Sequence, residues 1–229
     1  MKDKLQVRVT AEKIHKRNVK IRLIFMLISI LMLLITTIYG VIYIVSGAGN
    51  FTITLDSSLM SRTRIVMSPY RDFSETGITL HADALDYMDN ISGDWLPDDI
   101  HLQEGDHSQD DYIAYSFFLK NEGDEAVDYN AVIAIQSVIK NVDEAVRVRV
   151  YHNKESTTYA KPSPITGLPE PNTTPFVSNT RIMDMDREEF EPGDVDKFTV
   201  VIWLEGDDPE CVDDILGGEM KMLMYIRRK

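Results

Sequence analysis

The chain has 229 residues, with 37 Asp or Glu against 24 Lys or Arg, a net charge of −13 and a single cysteine, Cys211. An acidic balance of this size argues against nucleic acid and anionic lipid headgroups as partners, and one cysteine excludes an intrachain disulfide. The charge is unevenly laid out along the chain, and its first two segments account for that.

Residues 1–22 carry Lys2, Lys4, Arg8, Lys13, Lys16, Arg17, Lys20 and Arg22 against only Asp3 and Glu12, a local balance of +6. Residues 23–46 then carry no charge, and 15 of them are Leu, Ile, Val or Phe. As a helix this run is roughly 36 Å long, enough to cross a hydrocarbon core of about 30 Å. Its large aliphatic residues favour insertion by about 4 to 9 kcal/mol. Tyr39 and Tyr43 sit where amphipathic rings suit the far interface. The expectation is a transmembrane signal-anchor helix over 23–46 in the lipid bilayer. Positive-inside bias makes 1–22 a basic cytoplasmic tail and places 47–229 outside, in a single-pass topology. A cleaved signal peptide is the competing reading, because Ser46 and Ala48 are small at the −3 and −1 positions of a cut after Ala48. Against it, the apolar run is far longer than the about 7 to 15 residues of a secretory core segment. The total of −13 less the +6 of the tail leaves −19 on residues 50–229, so the expectation is an acidic extracellular domain.

Downstream, the period is two. Phe51–Leu55 alternates apolar with polar, as a half-buried strand does. Residues 112–120 set Ile113, Tyr115, Phe117 and Leu119 opposite Ala114, Ser116 and Lys120, and residues 121–124 supply turn chemistry. The next face is Tyr129, Ala131, Ile133, Ile135 and Ile139. Val146, Val148 and Val150 alternate with Arg147, Arg149 and Tyr151, which puts Arg147 at the surface and makes Arg147→Asp tolerable within roughly 1 kcal/mol. Phe198, Val200, Ile202 and Leu204 alternate with Thr199, Val201, Trp203 and Glu205, and Met220, Met222, Met224 and Ile226 form the last inward face. Five prolines between Lys161 and Asn179 mark a long exposed loop. Ala82–Asn90 and Cys211–Leu216 are the two stretches that read as single helical turns. The fold class expected is mainly β, an antiparallel β-sandwich behind one N-terminal transmembrane helix.

Chemistry-bearing motifs are sparse. No zinc-protease, nucleophile-elbow, phosphate-loop or dinucleotide fingerprint occurs, and no catalytic, cofactor-binding or metal residue is assigned. Ser137-Val-Ile-Lys140 matches S-x-x-K by letters but lies in a strand-like run without companion motifs. His101, Glu104, Asp106 and His107 gather two imidazoles and two carboxylates that suit a transition metal, with a solvated loop as the plain alternative. Calcium suits the carboxylates of Asp94–Asp111 or of the Glu205–Asp208 turn better, although no EF-hand spacing is present. Three N-x-[ST] sequons stand at Asn50, Asn90 and Asn172. Cys211 reads as a small buried apolar residue.

The segment Phe198-Thr-Val-Val-Ile-Trp-Leu-Glu-Gly-Asp-Asp-Pro-Glu-Cys-Val-Asp-Asp-Ile-Leu-Gly-Gly218, followed by an alternating last strand, resembles the closing segment of TasA/camelysin-like exported proteins of Gram-positive bacteria. Tyr112–Asn130 is similar to the central hairpin of that family. The resemblance covers about half of the region beyond the anchor. It implies a jelly-roll-like sandwich and, in the better-known members, extracellular matrix fibres joined by strand exchange. The family's metallopeptidase label finds no zinc motif here, and the long anchor behind a basic tail departs from the family's cleavable signal peptide. The function expected is a structural or adhesive protein of the cell envelope, with no catalysis. The alternative is a binding module or assembly factor that captures an envelope partner, and a metal-dependent hydrolase ranks third. Tethered close to the anchor, Phe51–Leu55 is expected to pair within its own domain.

Overall fold

The computed structural model describes residues 2–46, 51–83, 85 and 87–229. The cut sequence at Ala48 and the Asn50 sequon lie outside them, as does the side chain of Tyr43. The chain divides into two compact units, 1–47 and 48–229.

The first unit is one helix, α1, Lys2–Ser46, which runs through the basic segment as well as the apolar one. Every side chain described on it, from residue 13 to residue 39, is exposed. Apolar side chains therefore face outward all round, a pattern that suits hydrocarbon and not water. Ser29, Thr36 and Thr37 donate their hydroxyls to carbonyls one turn back, at Met26, Met32 and Leu33, which satisfies these three donors within the helix. An N-terminal helix of this kind serves as a membrane anchor or as a signal sequence.

The second unit is a β-sandwich. Its strands in chain order are β1 (Phe51–Leu55), β2 (Ile65–Ser68), β3 (Thr79–His81), β4 (Asn90–Ile91), β5 (Gly105–Asp106), β6 (Tyr112–Asn121), β7 (Val127–Ile139), β8 (Val146–His152), β9 (Glu155–Ala160), β10 (Thr174–Pro175), β11 (Arg181–Phe190), β12 (Val195–Glu205) and β13 (Glu219–Arg228). One sheet has the order β11-β7-β13-β1-β3, and the other β10-β9-β8-β12-β6-β2, with β4 added to β12 and β5 to β6. Most pairs are antiparallel, but β1–β13, β4–β12 and β9–β10 are parallel, a departure from the all-antiparallel expectation. No hairpin fixes the direction of β1, so it enters between β13 and β3 alongside the last strand.

The inner faces match the alternation in the sequence. Phe51, Ile53 and Leu55 meet Ile113, Phe117, Tyr129, Ile133, Val148, Phe198, Val200 and Met224 in one core. The Phe117 and Phe198 rings stack 5.3 Å apart across neighbouring strands. Ile139 is an exception at 48 % exposed. The register of β7 against β13 slips between Lys221 and Met222, so Gln136 has no partner and Val138 packs on the core instead. Between the sheets Tyr129 donates to Asp196 at 2.6 Å, and Asn153, Arg187 and His152 converge on the same carboxylate. Burial works to raise the pKa of Asp196, but the hydrogen bonds from His152, Asn153 and Tyr129 prevail and hold it at about 2. At the β6–β7 turn, Asn121 donates to the carbonyls of Glu125 and Phe190 and accepts from the Gly123 amide. A Cβ at Gly123 would lie 2.3 Å from the Thr63 carbonyl oxygen, so this turn requires glycine.

The outer face of the β8–β12–β6 sheet is not solvent-exposed, contrary to simple alternation. The segment from Asn90 to His107 crosses it, and Ile91, Leu96 and Ile100 cover Tyr112, Ala114, Val201 and Trp203. Residues 82–90, expected as a helical turn, show none among their described positions, whereas Asp213–Ile215 does form one.

Candidate functional site

Beside that second core the same face opens into a polar cleft of about 250 Å³. Its floor comes from β8 and β12, where Arg147 lies opposite Trp203 and Arg149 opposite Val201. The Arg149 guanidinium sits 5.1 Å from the Trp203 ring centroid and its Nε donates to Thr158 Oγ1 at 3.0 Å. Trp203 Nε1 donates to Glu205 at 3.1 Å, and Glu205 also accepts from the Gly93 amide at 3.2 Å. One wall is therefore formed by Ser92, Gly93 and Asp94, and the Pro-rich loop brings Glu170 and Asn172 to the other.

Arg147 corrects the surface assignment. It is 4 % exposed and forms an ion pair with Asp208, whose side chain is fully buried, while Glu170 lies 3.7 Å away. Asp208 caps its own turn by accepting from the Glu210 amide at 2.8 Å. Glu210 accepts from Ser163 Oγ at 3.1 Å, and its pKa is raised, first by the facing Asp208 carboxylate and then by burial. Glu170, Asp208 and Glu210 each place an oxygen within 4.8 Å of the others. Calcium requires about six to eight oxygen ligands. Here only three oxygens converge, and the Arg147 guanidinium already pairs with Asp208 and lies beside Glu170, so the cluster works as a buried ion pair. Neither Arg147 nor Glu170 was legible as a site residue, because Val-Arg-Val-Arg-Val reads the same whether its arginines face water or a covering segment. The apolar Ile91, Leu96 and Ile100, scattered in an otherwise acidic stretch, were the available signal that something covers this face.

The sequence candidates are placed as follows. His101 stacks on Tyr151 at 5.0 Å. The pKa of His107 is pushed down by burial, and its Nδ1 lies 3.0 Å from the Gly105 carbonyl. Glu104 accepts from the Arg71 amide, and Asp106 from the Asp83 and Ser108 amides. The two carboxylates are thus engaged by backbone amides, and the four groups do not converge on one point. Of the calcium candidates, only Asp208 joins the acidic cluster, and Asp94 and Asp207 are exposed on the cleft. Ser137 is exposed on β7, and Lys140 donates to the Leu216 carbonyl. Cys211 is half-exposed with its sulfur 3.5 Å from Asn90 Nδ2, not buried as expected.

A β-sandwich behind an apolar N-terminal helix, with a polar cleft on one sheet, is the class that fold and site define. No protein-family model matches the chain, and no curated protein matches it. Among solved structures, the β-glucosidase from Kluyveromyces marxianus in complex with glucose aligns with 80 % of this chain at 9 % identity and a TM-score of 0.26. The aligned part spans 18 % of that enzyme, and a likeness this weak carries no argument about the chain.

Proposed function

We propose that the protein is a membrane-anchored structural or adhesive component of the cell envelope, an anchored counterpart of the TasA/camelysin-like matrix proteins that its C-terminal segment resembles. In this reading residues 23–46 span the bilayer, 1–22 remain in the cytoplasm and the sandwich is displayed outside. The observation that carries it is the helix whose described apolar side chains, from residue 13 to residue 39, face outward, joined by only four residues to the first strand of a sandwich. Pairing of β1 inside its own sheet further supports a self-contained anchored domain over a fibre subunit awaiting a donor strand.

A second reading, a module that captures a partner strand, draws support from β11. This ten-residue strand ends its sheet, and Asp184, Asp186, Glu188 and two register shifts guard its outer edge against indiscriminate pairing. Protease added to intact cells tests the topology. Loss of the sandwich with a small membrane-bound remnant is expected, and a mature N-terminus at Gly49 would replace anchoring with secretion. Sedimentation of the chain from Asn50 onward tests the rest: a monomer is expected, and spontaneous filaments would move the protein to the fibre-forming class.

A further inference from the structure

We propose that the basic end of α1, residues 13–22, gathers anionic phospholipid headgroups in the leaflet through which the helix leaves the bilayer. This rests on the reading that 23–46 span the membrane, and on no particular direction of crossing.

The acidity that turns the sandwich away from anionic surfaces stops short of the helix. Residues 50–229 carry a balance of −19, whereas 13–22 hold Lys13, Lys16, Arg17, Lys20 and Arg22. No Asp or Glu occurs from residue 13 to residue 46, and Glu12 stands at the end of the basic stretch furthest from the apolar run. All of residues 13–22 are exposed, and they continue into the apolar run as one unbroken helix. An uninterrupted helix fixes how far each cation lies from hydrocarbon.

At about 1.5 Å rise per residue, the backbone of Arg22 and Lys20 lies within about 5 Å of Leu23, that of Arg17 and Lys16 at about 9 to 11 Å, and that of Lys13 at about 15 Å. The headgroup layer is about 5 to 8 Å deep on each side. Helical side chains lean towards the N-terminus, which here is away from hydrocarbon, so the long stems of Arg22 and Lys20 deliver their charges into that layer. Arg17 and Lys16 stand just beyond its outer edge, within the about 8 Å over which charges act at physiological salt, and Lys13 stands roughly one such length away. Each basic residue that reaches the surface strengthens attraction to anionic lipid about fivefold. Nucleic acid would meet the same cations, but Arg22 and Lys20 lie at a depth that headgroups occupy.

The full chain is reconstituted into nanodiscs of a one-to-nine mixture of phosphatidylglycerol and phosphatidylcholine, and the lipids retained by the ejected protein are counted by native mass spectrometry. Both leaflets hold the same mixture, so the direction of crossing does not enter. The retained lipids should be enriched in phosphatidylglycerol roughly threefold or more over the bilayer. Lys20→Gln with Arg22→Gln should remove most of that enrichment, and Lys13→Gln should leave it nearly unchanged. Ammonium acetate at 1 M, which shortens screening to about 3 Å, should erase it. Retained lipids in the bilayer's own ratio overturn the proposal, and capture of duplex DNA by the same nanodiscs would then give the basic face to nucleic acid. Enrichment that the double variant keeps in full, or that salt leaves untouched, overturns it too. A chain that fails to enter nanodiscs at all refutes the spanning reading and takes this proposal with it, a result distinct from entry without enrichment.

Discussion

Replacing Arg147 by Met removes the guanidinium that contacts the buried Asp208 while keeping most of the side-chain volume. Asp208 is fully buried at its side chain, Arg147 is 5 % exposed there and Glu170 only 10 %, so water cannot take over the lost charge. Removing one partner of a buried pair costs about 3 to 5 kcal/mol, chiefly because the remaining charge is uncompensated. That is a large share of the about 5 to 15 kcal/mol by which domains are stable. Arg147→Asp should do worse, since it adds a carboxylate to the cluster. Asp208→Leu in the Arg147→Met background should recover much of the loss, giving a coupling of several kcal/mol, whereas independent sites add to within about 0.5 kcal/mol. Urea denaturation monitored by Trp fluorescence measures each variant, with Trp203 reporting from beside the pair. A loss below about 1 kcal/mol for Arg147→Met would mean that the side chain faces solvent, as strand alternation alone implies, and would refute the covered face.

Three further outcomes follow from particular contacts. The carboxyl of Asp196 sits at about 2 in the folded chain against about 3.9 unfolded, so its ionised form favours folding. Its contribution is complete above about pH 4 and disappears as the pH falls towards 2, and melting curves across that range should lose this acid limb in Asp196→Asn. Gly123→Ala drives a methyl into the Thr63 carbonyl and should cost roughly 1 to 3 kcal/mol by chemical denaturation, whereas Gly193→Ala, with open space around it, should suffer only the strain of its positive φ. Calcium at millimolar concentration should leave the melting temperature unmoved, because Arg147 already serves Glu170 and Asp208. A bound ion at 100 times its dissociation constant would add about 2.7 kcal/mol and be plain in the melt.

The inner half of the sandwich was legible because alternation is a local signal. β1, β6, β8, β12 and β13 each kept their inward residues, and the β6–β7 turn carried its own glycine and asparagine. Where an added residue interrupts the ladder, as Gln136 does, alternation past that point inverts, and Ile139 was misplaced for that reason. The edge strand β11 was not assigned, because its charged residues, which guard an open edge, interrupt the apolar alternation. The cleft stayed hidden for a different cause. Its residues come from four distant segments, and Arg147 meets Asp208 and Glu170 rather than water because two loops later in the chain return to its strand. No local pattern carries that information.

The parallel pairing of β1 with β13 also has a mechanical meaning. Phe51 faces Met222 and Leu55 faces Ile226, so the strand that follows the helix in the chain runs alongside the last strand in one direction. A pull arriving through residue 51 acts along the length of β1 and loads its bonds to β13 together, in shear. An antiparallel terminal hairpin pulled from its open end would instead release its bonds one at a time. Shear also has to draw Phe51, Ile53 and Leu55 out of the core at once. Whatever tension the sandwich meets, its attachment point is thus the part of the sheet that yields as a block.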